Sequence, residues 1–268
     1  MMSGLRLLLR LVAASLRAQA QYPASAIMLT LGQFLGNGIE ILAVWALFDR
    51  FGNVHGWQIG EIAVFYGLVH MMFAIADVLC RGFDVLGTEF VRTGDFDRVL
   101  LRPRSATLQL MGYEFRISRF GRFAQGLVVL VIGANAVGVD WNVTSIAMAL
   151  WAVSGGVALF FAIVVLQGTM SFWTIESLEV VNVVTYGGVQ AAQFPLNLYS
   201  GWLRGALTYV VPIACVAYFP ILIILGRADP LGTPAWFGAV APVAGFVFLG
   251  VAFVAWRFGV RHYTSTGS

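Results

Sequence analysis

The feature that most limits the fold of this chain is a series of seven apolar stretches, each close to the length needed to cross a lipid bilayer. A membrane-spanning helix needs about 20 consecutive, mainly apolar residues. The stretches cover about residues 24–48, 59–80, 123–139, 146–166, 180–199, 205–225 and 236–256. Only 11% of the residues are charged, whereas a soluble domain has about 25%. The sequence therefore predicts an all-α membrane protein.

The distribution of arginine predicts the orientation. The chain has no lysine, and eight of its sixteen basic residues lie between Arg81 and Arg122. Five more arginines lie near the two termini: Arg6, Arg10 and Arg17 at the amino terminus, and Arg257 and Arg261 at the carboxyl terminus. Basic segments stay on the cytoplasmic side of a membrane. We therefore expect both termini and the loop at residues 81–122 in the cytoplasm, with an even number of crossings.

Prolines indicate which of the seven stretches is not a complete crossing. Six of the eight prolines lie between Pro195 and Pro242, and Pro212 and Pro220 interrupt the stretch at 205–225. Broken backbone is tolerated at membrane depth only where protein or a water-filled cavity covers it. We predict a re-entrant helical pair on the outer side at about residues 200–226, which leaves six transmembrane helices. If residues 180–199 instead lie on the inner side, the orientation is unchanged.

The amino-terminal segment has an amphipathic pattern. Arginines share one helical face of residues 5–21, and leucines and a valine occupy much of the rest, which is typical of a helix lying in the headgroup plane. A cleaved signal peptide is the competing interpretation, but Arg10 and Arg17 interrupt the apolar core that such a peptide needs. The predicted organisation is an amphipathic helix over residues 1–22 followed by a transmembrane domain over residues 23–268.

Two rows of polar and aromatic side chains lie at helical spacing within the first two spans. They are Gln33, Asn37 and Glu40 in the first span, and Tyr66, His70, Phe73 and Asp77 in the second. An acid near mid-membrane costs at least about 2 to 3 kcal/mol unless it faces protein, water or a partner. The rows either line a substrate cavity or hold helices together, and Gly32 and Gly36 form a G-x-x-x-G pair that permits close helix contact.

Familiar catalytic motifs are missing from the sequence. It has no G-x-x-x-x-G-K-[ST] phosphate loop and no H-E-x-x-H metal pair, and its three histidines are widely scattered. The net charge of +3 is too small to suggest nucleic acid. Two alternatives stay open: a lipid-modifying membrane enzyme that uses Asp77, Asp84 and Glu89, and a proton-driven transporter that uses Glu40, His70 and Asp77.

A short helix is predicted at the centre of the basic loop, between Gly94 and Pro103. Phe96, Val99 and Leu100 would form one apolar face of this helix. Such a helix either lies against its own protein or the bilayer, or inserts into a groove on a soluble partner.

The same residues carry a resemblance to a known family. Gly94-Asp95-Phe96-Asp97 followed by Leu100-Leu101-Arg102-Pro103 resembles the G-x-[LF]-D-x-x-L-L-R-P loop of ABC-2 type permeases, including their subfamily of unknown function. Further similar blocks are Ser171-Phe172-Trp173-Thr174 with Glu176, Phe194-Pro195-Leu196 with Tyr199, residues 207–212, and residues 217–220. Phe219 departs from the family, which often has a second Tyr there.

The resemblance implies a six-span, type V exporter-like subunit of a bacterial inner-membrane ABC transporter. It implies two separately encoded ATP-binding subunits, a second identical or paralogous permease, and export of a hydrophobic or amphipathic drug, antibiotic or glycoconjugate. The chain itself would be non-catalytic and without cofactor, because ATP and Mg bind the partner. By the same resemblance, the amino-terminal helix would be an elbow, and substrate would pass along the first, second and fifth spans. The coupling helix would comprise Gly94, Asp95, Phe96, Asp97, Val99, Leu100, Leu101, Arg102 and Pro103, and the outer gate Pro195, Tyr199, Pro212 and Pro220.

Overall fold

The structure is a computed structural model that describes residues 4–174 and 178–265. Glu176, part of one family-like block, lies outside these residues. Within the described residues the chain is almost entirely helical, and the one strand-like feature is an isolated bridge between Val54 and Trp57. The predicted all-α class is therefore confirmed.

The described residues form a series of long helices connected by short helical pieces. In chain order they are α1 (Gly4–Ala20), α2 (Pro23–Phe51), α3 (Ile59–Asp84), α4 (Phe96–Leu101), α5 (Ala106–Met111), α6 (Arg119–Val137), α7 (Val143–Met170), α8 (Leu178–Ala192), α9 (Gly201–Gly205), α10 (Ile213–Val216), α11 (Tyr218–Ile224), α12 (Ala235–Val240) and α13 (Val243–His262). Wider π-type turns continue α3 through Leu86–Val91 and α9 through Ala206–Val210, and a single 3-10 turn covers Leu196–Leu198.

Five of the described helices are long and apolar enough to cross a membrane, namely α2, α3 with its π-turn extension, α6, α7 and α13. The pair Gly201–Val210 and Ile213–Ile224 passes the same test when taken together, but it is bent by 72°. The bend falls at Pro212, where the sequence predicts a broken pair. By length and composition, the described residues hold five candidate spans, or six if the bent pair is counted as a single broken span.

Two predicted boundaries in the last third differ from the structure. The stretch at residues 180–199 becomes α8, which has 15 residues and ends at Ala192. At about 1.5 Å per residue it is shorter than a hydrocarbon core of about 30 Å. Pro195 explains this early end, because a proline disfavours helix at the residue before it. The stretch predicted at residues 236–256 is divided into two helices, α12 and α13. Pro242 stands immediately before α13, where the division falls.

Helix α3 is the centre of the bundle, with α6 on one side and α7 on another, and α13 packs on α7. Small residues allow α3 and α6 to come close together. A Cβ atom placed on Gly67 would lie 2.6 Å from the carbonyl oxygen of Gly126, so any larger residue would force the two backbones apart. Ala63 and Tyr66 of α3 form a buried cluster with Val129 of α6 at this contact.

Helix α2 lies at the edge of the bundle, packed mainly on α6, and most of its apolar side chains are exposed. Helix α1 is fixed beside it by Gln19. The Gln19 side chain donates to the carbonyl of Phe115 and accepts from the amide of Ile117 at 2.9 Å. These bonds place α1 and the basic loop at one end of the bundle, which we call the arginine-rich end.

Candidate functional site

The short helix predicted in the basic loop is present as α4. Gly94 precedes it with a φ of +76°, a backbone conformation that glycine adopts without a steric penalty. Arg102 follows in extended conformation, as expected for a residue before a proline. The element is therefore six residues long and has turns at both ends.

One side of α4 is packed into the protein through Phe96, which has no exposed surface. Its ring centroid lies 5.2 Å from that of Phe172, which follows α7, and 6.2 Å from that of Trp256 in α13. Tyr263, directly after α13, is 5.0 Å away. The aromatic cluster of Phe96, Phe172, Trp256 and Tyr263 therefore joins α4 to the ends of α7 and α13.

The other side of α4 is open. Leu101 is 83% exposed and Leu100 is 43% exposed, whereas Val99 is only 6% exposed. The apolar face predicted from Phe96, Val99 and Leu100 is thus divided between the protein and the surface. Helical spacing correctly placed Phe96 and Val99 together but could not show that they face inward.

Polar contacts hold α4 in position. Asp95 pairs with Arg98 at 3.1 Å, and the Ser265 hydroxyl donates to the Asp97 carboxylate at 2.6 Å. The Val99 carbonyl accepts a hydrogen bond of 2.9 Å from the side-chain amide of Gln109 in α5. Arg98 within the helix and Arg102 and Pro103 after it are exposed.

The acids proposed for a lipid-modifying enzyme do not converge. Asp77 pairs with Arg119, Asp84 with Arg81, and Glu89 accepts a hydrogen bond from Tyr113. No three His, Cys, Asp or Glu residues among those described form a group that could hold a metal ion. Each acid therefore serves a different local contact.

Glu114 connects two arginines of the basic loop. It pairs with Arg116 at 2.8 Å and with Arg81 at 3.3 Å. Burial raises the pKa of the Glu114 carboxyl, but the two guanidinium groups outweigh burial, so the pKa lies below its usual value. Glu114 therefore remains charged near neutral pH and ties the start of α6 to the end of α3.

The two polar rows of α2 and α3 meet inside the bundle. The Tyr66 hydroxyl donates to the carbonyl of Asn37 at 2.7 Å and accepts from the side-chain amide of Gln125 in α6 at 3.2 Å. Asn37 also donates to the carbonyl of Gln33 at 2.6 Å. Helical spacing therefore correctly indicated which faces of α2 and α3 are polar.

A second part of this polar cluster is centred on His70, whose ring stacks on that of Tyr66 with centroids 4.0 Å apart. His70 Nε2 lies 3.1 Å from the Gln193 side-chain nitrogen and 3.9 Å from a carboxylate oxygen of Glu40. His70 Nδ1 and that Glu40 oxygen are buried, and neither has a hydrogen-bond partner among the described residues. These two atoms therefore have unused hydrogen-bonding capacity inside the bundle.

Sequence reasoning missed the arginines that complete this cluster. Arg119 forms an ion pair with Asp77, and the Arg122 guanidinium lies 5.0 Å from the ring centroid of Phe73. Both were assigned to the loop before the third span, but α6 begins at Arg119. Arg119, Arg122 and Gln125 follow one another at intervals of three residues. This helical spacing is the signal that could have placed the two arginines on the same face of α6 as Gln125.

The predicted cavity residues divide into buried and accessible groups. Tyr66, His70 and Phe73 are 1 to 3% exposed, so they face the interior of the bundle in a single chain. Gln33 is exposed, and the Glu40 side chain is 42% exposed. Gln33 and Glu40 are therefore the members of the two rows that reach the surface at the edge formed by α2.

The G-x-x-x-G pair of α2 makes no close contact with another helix of the part of the chain that the structure describes. A Cβ atom on Gly32 or on Gly36 would meet no other heavy atom of the described residues within 4 Å. The close helix contact that this pair permits is thus not made by residues 4–174 and 178–265 of the same chain.

The predicted gate residues lie opposite the arginine-rich end, near the start of α3. Pro195 precedes the 3-10 turn, and the Tyr199 hydroxyl donates to the carbonyl of Ala191 at 3.0 Å. Pro212 stands at the bend of the broken pair, and Pro220 is buried in the first turn of α11. The four residues therefore follow one another along the connection from α8 to α11.

A further contact at this end was not predicted. The Arg227 guanidinium lies 3.9 Å from the ring centroid of Trp57 and pairs with Glu61. The Trp57 ring nitrogen donates to the side chain of Asn197 at 3.0 Å. These bonds fasten the start of α3 to the segments on either side of the bent pair.

A family model described as ABC-2 family transporter protein matches residues 34–267. The chain belongs to the ABC-2 family. The match includes α4, the polar cluster and the bent pair. No curated protein and no solved structure gives a significant match. An ABC-2 chain is a multi-pass membrane component of a transporter, so membership establishes the transport class.

Proposed function

We propose that this ABC-2 chain is the membrane-spanning subunit of an exporter in a bacterial inner membrane. Two separately encoded ATP-binding subunits power it, and ATP and Mg bind those subunits rather than this chain. Its cargo is a hydrophobic or amphipathic compound. The positive-inside rule places the arginine-rich end and both termini in the cytoplasm.

The two-sided burial of α4 is the observation that supports this proposal most directly. Phe96 is completely buried in the aromatic cluster, while Leu101 projects from the same short helix with 83% of its surface exposed. A helix needs both a fixed side and a free side to transmit force between two bodies. We therefore assign α4 as the coupling helix.

The exposed side of α4 indicates the chemistry of its partner. Leu100 and Leu101 form an apolar projection, and Arg98 and Arg102 lie beside it. An apolar anchor with a charged rim fits a groove with an apolar floor and acidic edges. We propose that each ATP-binding subunit offers such a groove.

Movement of the docked subunit would pass to the permease through the aromatic cluster. ATP-driven closure shifts α4, and Phe96 carries the shift to Phe172 and Tyr263 at the ends of α7 and α13. Packed aromatic rings transmit such displacements because protein interiors deform little. The spans then alternate as rigid bodies.

A second permease would cover the exposed edge of α2. Glu40 is 42% exposed on its side chain in the middle of this helix, and an acid facing lipid is costly. Gly32 and Gly36 leave room for a close helix contact. We propose that the substrate path runs between the two permeases beside the accessible Gln33 and Glu40, with the buried Asn37 between them on α2.

Co-purification followed by ATPase and transport assays tests the proposal. The tagged chain is extracted from its native membrane in mild detergent, and the co-purifying subunits are identified. We expect an ATP-binding subunit in equal stoichiometry, together with ATP-dependent transport after reconstitution. A chain that purifies alone and shows no ATPase activity contradicts the proposal and favours a proton-driven transporter.

The substitution Leu101→Asp sharpens this test, because it places a charge on the docking anchor without disturbing the core. We expect it to release the ATP-binding subunit while the chain remains folded. Leu231→Asp is the matched control, since Leu231 is also exposed, at 40%, but lies in the loop between α11 and α12. Equal retention of the ATP-binding subunit by both variants contradicts the assignment of α4.

A further inference from the structure

A cavity of about 700 Å³ opens at the arginine-rich end, between α1, the start of α2 and the segment before α6. We call it the elbow cavity. Its polar wall includes Ser25, Gln33, Arg116, Ser118 and Arg119. Its volume is sufficient for the headgroup of a lipid-like molecule rather than for a few waters.

The charge around the elbow cavity is positive. Arg116 pairs with the one lining carboxylate, Glu114, and Arg119 pairs with Asp77, which is not among the lining residues. Arg122 follows about one turn further along α6, where its guanidinium lies over the Phe73 ring and outside the lining of the cavity. With Arg81, which also pairs with Glu114, and Asp84, the other partner of Arg81, the group holds four guanidiniums and three carboxylates.

Arg122 is the uncompensated member of this group. No carboxylate among the described residues lies within ion-pairing distance of it, although Glu40 influences it electrostatically. Its Nε atom is buried without a hydrogen-bond partner. A buried guanidinium with free donors favours a nearby anion, and guanidinium groups bind phosphate especially well.

An apolar groove of about 390 Å³ adjoins the cavity and shares Gln19 and Ala26 with it. Pro23, Ile27 and Leu31 of α2 line it, together with Ile117. A basic headgroup cavity next to an apolar groove has the shape and chemistry of an amphiphile site. The amphipathic α1 beside it would keep this site at the depth of the membrane headgroups.

We propose that the elbow cavity and its groove bind one anionic amphiphile, with a phosphate headgroup against Arg116 and Arg119 and an acyl chain along α2. The site is separate from the coupling helix, so it goes beyond the transport function proposed above. A resident phospholipid of the inner leaflet and a transported amphiphile share this chemistry.

Native mass spectrometry of the purified full chain in a neutral maltoside detergent tests the site. The probes are dioctanoyl phosphatidylglycerol and dioctanoyl phosphatidylcholine, which have equal chains but net charges of about −1 and 0. We expect one bound molecule and roughly tenfold tighter binding of the anionic probe, as charge-assisted hydrogen bonds predict. Equal binding of the two probes would overturn the proposal.

Three variants locate the binding. Arg116→Gln should reduce the preference for the anionic probe several-fold, and Ala26→Phe should block both probes by filling the space that the cavity and groove share. Arg92→Gln removes the same charge from an exposed position elsewhere in the loop and should leave binding unchanged. If Arg92→Gln weakens binding as much as Arg116→Gln, general surface charge is responsible and the site is wrong.

The source of the ligand is decided by adding the ATP-binding subunits and ATP. A phospholipid that remains bound through turnover is a resident lipid, whereas release during turnover identifies a transported amphiphile, and both results support the site. This binding assay needs no ATPase. Failure of the transport proposal would therefore leave anionic binding intact, and failure of the site would leave ATP-dependent transport intact.

Discussion

The ring of Phe96 meets the ring of Tyr263 edge to face, with centroids 5.0 Å apart and planes at 83°. The contact joins two segments that are far apart in the sequence, the middle of the basic loop and the residue after the last helix. Aromatic pairs of this geometry contribute about 0.5 to 1.5 kcal/mol beyond their buried area. The last span therefore has a direct mechanical connection to the proposed docking helix.

The first prediction concerns this connection. Tyr263→Ala should leave the ATP-binding subunit attached, because Leu101 is unchanged, but it should lower transport several-fold relative to ATP hydrolysis. Tyr263→Phe keeps the ring and should transport normally. The ratio of transported substrate to hydrolysed ATP in proteoliposomes measures the effect. A normal ratio in Tyr263→Ala would show that movement reaches the spans by another route.

The second prediction concerns the ion pair between Asp77 and Arg119, whose side chains are 11% and 18% exposed. Removing one member leaves the other charge buried and unpaired, which costs about 3 kcal/mol. Asp77→Asn or Arg119→Gln should therefore lower the midpoint of thermal unfolding in detergent, and the double variant should recover most of the loss. Additive losses in the double variant would show that the two charges do not stabilise one another.

Sequence patterns predicted the helices and their polar faces well, because both depend on local periodicity. The break at Pro212 and the meeting of Tyr66 with Asn37 are examples. The inward side of Phe96 was not predictable, because an apolar face looks the same whether it meets its own core or a partner. Arg122 was missed because charge suggested a loop, whereas tertiary contacts extend α6 back to Arg119.

The third prediction concerns the uncovered glycines of α2. Gly36→Leu should leave the fold of the single chain intact, because nothing lies within 4 Å of a Cβ there, but it should weaken association with the second permease. Gly250→Leu in α13 is the matched control, since that glycine is equally uncovered. Cross-linking in native membranes measures the dimer. Equal cross-linking in both variants would exclude the Gly32 and Gly36 surface from the interface.

The fourth prediction concerns Glu40, whose side chain is 42% exposed at mid-span and whose buried carboxylate oxygen lies 3.9 Å from His70 Nε2. If it faces the path between two permeases, it attracts a cationic or hydrogen-bonding substrate. Glu40→Gln keeps the size and the hydrogen-bonding capacity but removes the charge. We expect uptake of a cationic amphiphilic dye into inverted vesicles to fall about tenfold, which corresponds to about 1.4 kcal/mol.

A neutral dye of similar size provides the control for this measurement, because it should be carried equally by Glu40→Gln and the unaltered chain. Glu40 is not among the residues that line the elbow cavity. The anion preference of that cavity is therefore measured separately, in the lipid-binding assay. Loss of transport for both dyes would indicate that Glu40 supports the packing of α2 rather than substrate selection. Unchanged uptake of the cationic dye would remove Glu40 from the substrate path and leave it a contact between helices.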